Sequence, residues 1–332
     1  MKYAVVGLGA VGSIVAQHLI TTMEPVVLLG KPNQMDIIKK QRLVIDGKTY
    51  KETNMMITDD FARLSDVDVV FICVKSQDTE PVAHLMQKHL NKKALIISLQ
   101  NGVHNAQVLS DITKVKTISG VVLFNAVSPS PGVASLTIQG GLIIEFSNEY
   151  ASVLTEVKRQ LNTKELPVRF VIDIQPVLWS KLILNTQIAV TALTGQTVKE
   201  SVKNRDSRRI IIATMREAAD VVQDAGIKLS TLPGADPRRM IRILRIFGGF
   251  SAILSSVFLK VKPEARNSMW QSLARGKTTE IDYINGEIVR LAEQHYLKAP
   301  VNTILVDLVK KVEASAIGKH AEPKVLRTML KL

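Results

Sequence analysis

Gly7-Leu8-Gly9-Ala10-Val11-Gly12 is the first group whose residue types and spacing do chemistry. A GxGxxG string alone is a weak signal. Here it follows the apolar run Tyr3–Val6 and opens the helix-forming stretch Gly12–Ile20, the strand–turn–helix setting of a dinucleotide phosphate loop. Gly7 permits the tight turn, Gly9 lets the backbone approach a pyrophosphate, and Gly12 allows close helix–strand packing. The helix N-terminus then faces the negative charge. The end of the second strand reports on the nucleotide. Versions selective for NAD place an acid there for the ribose 2′-hydroxyl. This chain has Leu28-Leu29-Gly30-Lys31-Pro32-Asn33, with no acid, and Lys39, Lys40 and Arg42 nearby. That predicts NADP(H), with Lys31 among the cofactor-binding residues. A solvated loop lysine is the plain alternative.

Other chemistries find little support. His84, His89, His104 and His295 are scattered, and no Cys/His spacing suggests zinc. Asp59-Asp60 and Asp66/Asp68 read as loop and strand-entry acids, so no metal site is expected. No Ser-His-Asp arrangement is arguable. Cys73 is the single cysteine, which excludes an intramolecular disulfide and favours a reducing compartment. Arg238, Arg239, Arg242 and Arg245 fall in PRRMIRILRIF, and three of them share one helical face. A solvated basic face is the simplest reading. A clamp for a substrate carboxylate, an acidic partner and nucleic acid are the alternatives.

The elements that must position these residues come in two textures. Val26–Leu29, DVVFICV (68–74) and ALIISL (94–99) are apolar runs suited to strands covered on both faces, and they alternate with helical stretches such as Pro81–Leu90. This predicts an α/β domain with a parallel sheet. From Val115 to Phe146, strand-like pieces separated by Gly, Ser and Pro suggest antiparallel hairpins continuing the sheet. A helix near Ser152–Leu161 and a strand near Val168–Ile172 close it. Beyond Pro176 the pattern is helical: Val177–Ala192, Ser207–Ala225, Pro237–Arg245, Thr278–Gln294 and Val301–Ala314 carry apolar residues at three- and four-residue steps. The expected division is a Rossmann-like dinucleotide-binding domain over residues 1–173 and an all-α domain over 174–332.

Composition agrees with a globular enzyme. The 332 residues are 46% hydrophobic and 22% charged, which excludes a disordered or fibrous chain. The net charge of +13 suits small anionic ligands; with 5% aromatics and no basic tail, nucleic acid is not expected as a partner. The uncharged stretch Thr117–Ile144 is interrupted by Pro129, Pro131, Gly132, Gly140 and Gly141, and Ile246–Leu259 is too short to span a bilayer and reads as a buried helix. No membrane association and a cytoplasmic location are expected.

The chain resembles the ketopantoate reductase (2-dehydropantoate 2-reductase) family over nearly its whole length. The residues carrying the resemblance are GLGAVG, Val74-Lys75-Ser76, Gln100-Asn101-Gly102, the block Trp179-Ser180-Lys181-Leu182-Ile183-Leu184-Asn185, Ser268-Met269-Trp270-Gln271, TEIDYING (279–286) and Ala299-Pro300-Val301-Asn302. The resemblance implies a Rossmann domain joined to a helical domain, with the active site in the cleft between them. It implies NADPH-dependent reduction of a 2-oxo acid, ketopantoate, to the 2-hydroxy acid pantoate for pantothenate synthesis. Lys181 matches the family's catalytic lysine and Glu280 its active-site glutamate. Asn185 and Ser268 match substrate-binding positions, and Lys75 and Asn101 match residues facing the cofactor. A protonated lysine suits the chemistry, because hydride delivery leaves negative charge on the carbonyl oxygen. Burial lowers a lysine's pKa, and a nearby carboxylate opposes that shift. Asn185 lies one helical step after Lys181, so both share a face. A homodimer through the helical domain is the expected assembly.

Two positions depart from the family pattern. A second asparagine often follows the first by four residues, where this chain has Ala189. Another lies three residues before the serine, where it has Ala265, with Asn267 close but out of place. The hydride chemistry survives these losses; the identity of the substrate is what they put in question. Another 2-oxo or imino acid, or a non-catalytic NADP(H) sensor, are the competing readings.

Overall fold

Tyr3, Ala4, Val5 and Val6 alternate between two covered faces. In the computed structural model, which describes residues 1–50, 54–233, 236–247, 267–315 and 320–332, they form strand β1 (Tyr3–Val6). Tyr3 and Val5 enter one apolar core with Leu28, Phe71 and Ile97; Ala4 and Val6 enter a second with Leu29, Ile72 and Ile96. Strands buried on both faces read as continuous apolar runs, and each fully buried Val, Leu, Ile or Phe contributes about 1.5–3 kcal/mol.

The chain divides into two compact units, Met1–Ile174 and Gln175–Leu332. After β1 the first contains α1 (Ala10–Thr21), β2 (Val26–Leu29), α2 (Pro32–Gln41), β3 (Leu43–Ile45), β4 (Lys48–Tyr50), β5 (Met55–Thr58), β6 (Val69–Ile72), α3 (Thr79–Gln87), β7 (Leu95–Ser98) and α4 (Asn105–Thr113). It continues with β8 (Thr117–Val122), β9 (Asn125–Ser130), β10 (Val133–Ile138), β11 (Leu142–Glu145), α5 (Ala151–Leu161) and β12 (Val168–Val171). The main sheet has the order β12-β11-β8-β7-β6-β1-β2-β5. Its pairs are parallel except β8 with β11. Strand β1 lies between β2 and β6, where the winding reverses; ligands of open α/β sheets bind at the carboxyl ends of the strands at such a point.

The hairpin expectation needs a correction. Strands β8 and β11 do extend the main sheet, but β9 and β10 leave it. They pair with each other and join β3 and β4 in a separate sheet, order β4-β3-β10-β9. The sequences NAVSPS and VASLTI bring Asn, Ser, Pro and Thr, and only Ala134 among them is fully buried. Such strands cannot fill a position covered on both faces.

The second unit is helical throughout its described residues: α6 (Gln175–Thr186), α7 (Ile188–Thr194), α8 (Val198–Lys203), α9 (Arg205–Asp224), α10 (Pro237–Phe247), α11 (Ser268–Ala274), α12 (Asn285–Gln294), α13 (Pro300–Glu313) and α14 (Pro323–Met329). Helix α9 is the hub, packing against α6, α7, α8, α10, α12, α13 and α14. Its buried stripe Ile210, Ile211, Thr214, Met215, Ala218, Val221 and Val222 has helical period, and Asn204 caps its start by accepting from the Asp206 and Ser207 amides at 3.0 Å each.

Two helices differ from their expected extents. The run read as Val177–Ala192 is interrupted at Gln187, between α6 and α7. The run read as Thr278–Gln294 becomes a helix only at Asn285. Before it lies a 3-10 turn, Ile281–Tyr283, and Ile284 has the non-helical angles φ −118° and ψ −86°. The Thr279 hydroxyl accepts from the Ile281 amide at 3.2 Å, and this local bond competes with helix formation. Glu280 therefore stands off the helix. The reading of Ile246–Leu259 as a buried helix falls, from residue 248 on, outside the described residues. Among those described, no helix is long and apolar enough to cross a membrane. The uncharged stretch 117–144 forms strands.

Candidate functional site

The phosphate loop joins β1 to α1 as the spacing requires. Gly7 has φ +97°, and a Cβ there would come within 2.7 Å of the Val74 backbone nitrogen. Its amide donates to Leu29 O at 2.8 Å, tying the loop to the end of β2. A Cβ on Gly12 would fall 2.0 Å from Gly7 O, so the first turn of α1 rests directly on the loop. Gly9 is different. It is the N-cap of α1, with φ −83° and no side-chain cap, and a Cβ there would meet no protein atom within 4 Å. Neither backbone conformation nor protein packing demands glycine at that position. A bound group approaching the backbone does, and the first-turn amides of Ala10, Val11 and Gly12 lack intrahelical acceptors by helix geometry. The residues present therefore fit a dinucleotide pyrophosphate at Gly7, Leu8, Gly9, Ala10, Val11 and Gly12. The Gln34 amide donates to Leu8 O at 2.6 Å and holds the loop from α2.

Lys31, Lys75 and Asn101 follow β2, β6 and β7, on the carboxyl side of parallel strands that flank β1 on both sides. Lys31 is exposed, and its ammonium lies 3.4 Å from the Asp78 carboxylate. An acid thus stands near the second strand's end after all. It comes from the segment after β6, 47 residues along the chain, where no reading of β2 finds it. Lys75 and Asn101 are half-buried over a polar network that the sequence does not announce. Ser76 donates to Asn101 O at 2.8 Å, and the Asn105 amide donates to Ser76 Oγ at 3.2 Å. Thr79 donates to Asn105 Oδ1 at 2.8 Å, and Gln100 donates to Thr79 Oγ1 at 2.7 Å. Ser76, Thr79, Gln100 and Asn105 are all buried. Together they fix the two loops that carry Lys75 and Asn101.

In the second unit, Lys181 and Asn185 lie on α6, both half-buried. Burial lowers the Lys181 pKa below the ordinary lysine value, and desolvation of the ammonium is the cause. Among the described residues no carboxylate pairs with that ammonium. Glu280 is buried at 9% exposure. The Thr279 amide just before it donates to Glu313 Oε1 at 2.7 Å, from the last residue of α13. After it, the Asn285 amide donates to Thr186 O at 3.1 Å, next to Asn185 at the end of α6. Lys181, Asn185 and Glu280 are thus carried by directly connected pieces of one unit.

Ser268 is exposed and begins α11. Asn267 is its N-cap, accepting from the Trp270 amide at 2.8 Å and donating to Ile188 O at 3.1 Å and to Thr191 Oγ1. Its shifted position is explained: it ties α11 to α7. Ala189 is fully buried in α7 and offers no polar group. Ala265 lies outside the described residues. Arg238, Arg239, Arg242 and Arg245 are exposed on α10, and no carboxylate among the described residues pairs with them. Among those residues no three His, Cys, Asp or Glu side chains gather to hold a metal.

Residues 3–149 match the family model described as "Ketopantoate reductase PanE/ApbA", and residues 173–313 match "Ketopantoate reductase PanE/ApbA C terminal". The chain belongs to the ketopantoate reductase family. It is 28% identical to the 2-dehydropantoate 2-reductase of Pyrococcus horikoshii over 323 residues, 96% of this chain and 99% of that one. It resembles the crystal structure of a PanE/ApbA family ketopantoate reductase from Ralstonia eutropha with a TM-score of 0.80 and 29% identity, over 95% of this chain and 99% of that one. A D-mandelate dehydrogenase solved with NADH and anilino(oxo)acetate shares the fold, with a TM-score of 0.79 and 22% identity over 95% and 99% of the chains.

Proposed function

We propose that this ketopantoate reductase family member is an NADPH-dependent reductase of 2-oxo acids, with 2-dehydropantoate as its first substrate, pantoate as product and pantothenate synthesis as its pathway. The observation that carries the reading is Lys181: a half-buried lysine whose pKa is lowered by desolvation of its ammonium, without a carboxylate partner among the described residues, one helical step from Asn185. Membership of the family and the Gly9 geometry support it.

The first unit binds the dinucleotide through the loop amides and Lys75 and Asn101, and Lys31 favours a 2′-phosphate. NADPH, when bound, supplies the hydride that adds to the carbonyl carbon. Lys181 stabilises the negative charge on the carbonyl oxygen and transfers a proton to it, leaving a 2-hydroxy acid. Its lowered pKa makes it the stronger acid. Glu280 accepts a hydrogen bond from the new hydroxyl, and Asn185 and Ser268 hold the substrate's polar groups. The enzyme is expected to be a cytoplasmic homodimer, an assembly that sedimentation reads directly.

NADPH oxidation with ketopantoate, against a panel of other 2-oxo acids, tests the proposal. Selective turnover of ketopantoate supports it. The apolar Ala189 favours one second reading, the same chemistry on a 2-oxo acid that needs fewer polar contacts; turnover of another acid alone selects it. NADPH binding without any turnover removes both. A lower KM for NADH than for NADPH removes the NADP(H) assignment alone.

A further inference from the structure

Asn285 and Asn302 belong to the motifs TEIDYING and APVN, yet the proposed chemistry gives neither a task. Both are completely buried. Asn285 Nδ2 donates to Thr186 O at 3.1 Å and to Asn302 Oδ1 at 2.9 Å. Asn302 Nδ2 donates to Glu217 Oε1 at 2.8 Å and to Thr214 O at 3.3 Å. Glu217 completes the chain at the start of α13, accepting from the Val301 amide at 2.9 Å and the Asn302 amide at 2.8 Å.

The chain of bonds has one direction. Turning the Asn285 amide over would set its oxygen against Thr186 O and Asn302 Oδ1, two acceptors. Turning Asn302 over would set an oxygen against the Glu217 carboxylate. Both side-chain N–H groups of Asn285 and of Asn302 are used, while Asn285 Oδ1 is buried with no partner among the described residues. An apolar side chain at 285 would leave no such orphan, so the amide is retained for its two donors. A buried polar network of this kind fixes one arrangement of the elements it joins.

Those elements carry the reacting groups. Thr186 lies on α6, five residues after Lys181 and adjacent to Asn185. Asn285 lies five residues after Glu280, across the Ile281–Tyr283 turn. We infer that Glu217, Asn302 and Asn285 are positioning residues that set the Glu280 turn against the Lys181 helix. The inference rests on the reductase reading for its kinetic consequences, but its geometry is independent of substrate.

The test uses Asn302→Asp, Glu217→Gln and the double variant in the full-length protein. Asn302→Asp opposes two carboxylates and sets an oxygen against Thr214 O; adding Glu217→Gln removes the like-charge repulsion and restores one side-chain donor–acceptor pair, although the new donor then meets the Asn302 backbone N–H. Asn302→Asp is expected to lower kcat about tenfold or more, the scale of a misplacement below 1 Å, with the NADPH Kd unchanged. The double variant recovers part of that loss, the part due to charge repulsion. Glu217→Gln alone, at a half-buried position, is expected to lower kcat about threefold, and it carries the test if Asn302→Asp does not fold. Alongside, acylation of Lys181 by a water-soluble amine reagent is followed against pH by mass spectrometry. Its midpoint shifts in the single variants and moves back toward the wild type in the double. If kcat per folded molecule and the labelling midpoint match the wild type in every variant, the network is structural only and the inference falls. If the wild type reduces no 2-oxo acid, the reductase reading falls, and the labelling midpoint alone decides this one.

Discussion

Replacing Lys181 with Met is expected to make the protein more stable and nearly inactive. The side chains have similar length, and Met removes only the buried ammonium. Burial lowers the Lys181 pKa, so the unfolded state holds its proton more tightly than the folded state does. Stability of the wild type therefore rises with pH between the lowered pKa and the ordinary lysine value of about 10.4. Below that window the buried charge exerts its full destabilising effect; above it the effect is gone. Each pKa unit corresponds to about 1.4 kcal/mol, and 1 kcal/mol moves Tm by about 2–4 °C in a domain of 150–250 residues. The variant should melt at a higher temperature at about pH 7, by an amount that reads the size of the shift, and the gain should vanish near about pH 10.5. Differential scanning calorimetry of both proteins across this range isolates the effect, because all other groups titrate alike. Loss of the proton donor lowers kcat by about 10²–10⁴-fold. A lower Tm at pH 7, or a gain that does not shrink with pH, would refute the reasoning: the ammonium would then be held by a favourable partner.

Gly9→Ala should keep or slightly raise Tm, since φ is −83° and no protein atom lies within 4 Å of the new Cβ, yet weaken NADPH binding in calorimetric titration. Gly7→Ala should instead lose about 1–3 kcal/mol of stability, because φ is +97° and Val74 N is 2.7 Å from the added carbon. Asp78→Asn removes the carboxylate 3.4 Å from Lys31 and should lower the KM for NADPH about twofold to threefold, leaving that for NADH unchanged. The kcat of the wild type should fall as pH rises through the Lys181 pKa, at a midpoint below the ordinary lysine value; a profile flat to pH 10 would remove Lys181 as the acid.

The strands β1, β2, β6 and β7 are legible because burial on both faces forces unbroken Val, Ile and Leu runs. Helix α2 is not, because only Met35 and Ile38 of its ten residues are buried and the apolar signal is correspondingly sparse. The placement of β9 and β10 is not legible for a related reason: their polar composition marks strands but not the sheet they join. In the candidate site, the glycine loop is readable because Gly7 and Gly12 answer local packing requirements and Gly9 keeps the backbone open to a bound group. Asp78 beside Lys31, and Glu217 behind Asn302, are not readable, since the partners lie 47 and 85 residues apart in sequence. The end of helical structure before Asn285 turns on a single threonine hydroxyl, a side-chain bond that apolar periodicity cannot register.

Helix α13 grips the segment around Glu280 at both ends, with Glu313 on the Thr279 amide and Asn302 on the Asn285 amide. The helix therefore acts as a ruler. Its rise of about 1.5 Å per residue sets the two anchor residues roughly 16 Å apart along the axis. The five-residue link between Thr279 and Asn285 has to match that span. Removing or adding one residue in the link, or inside α13, forces one grip open whatever the side chains are. Insertions and deletions in this unit are therefore expected only outside that frame.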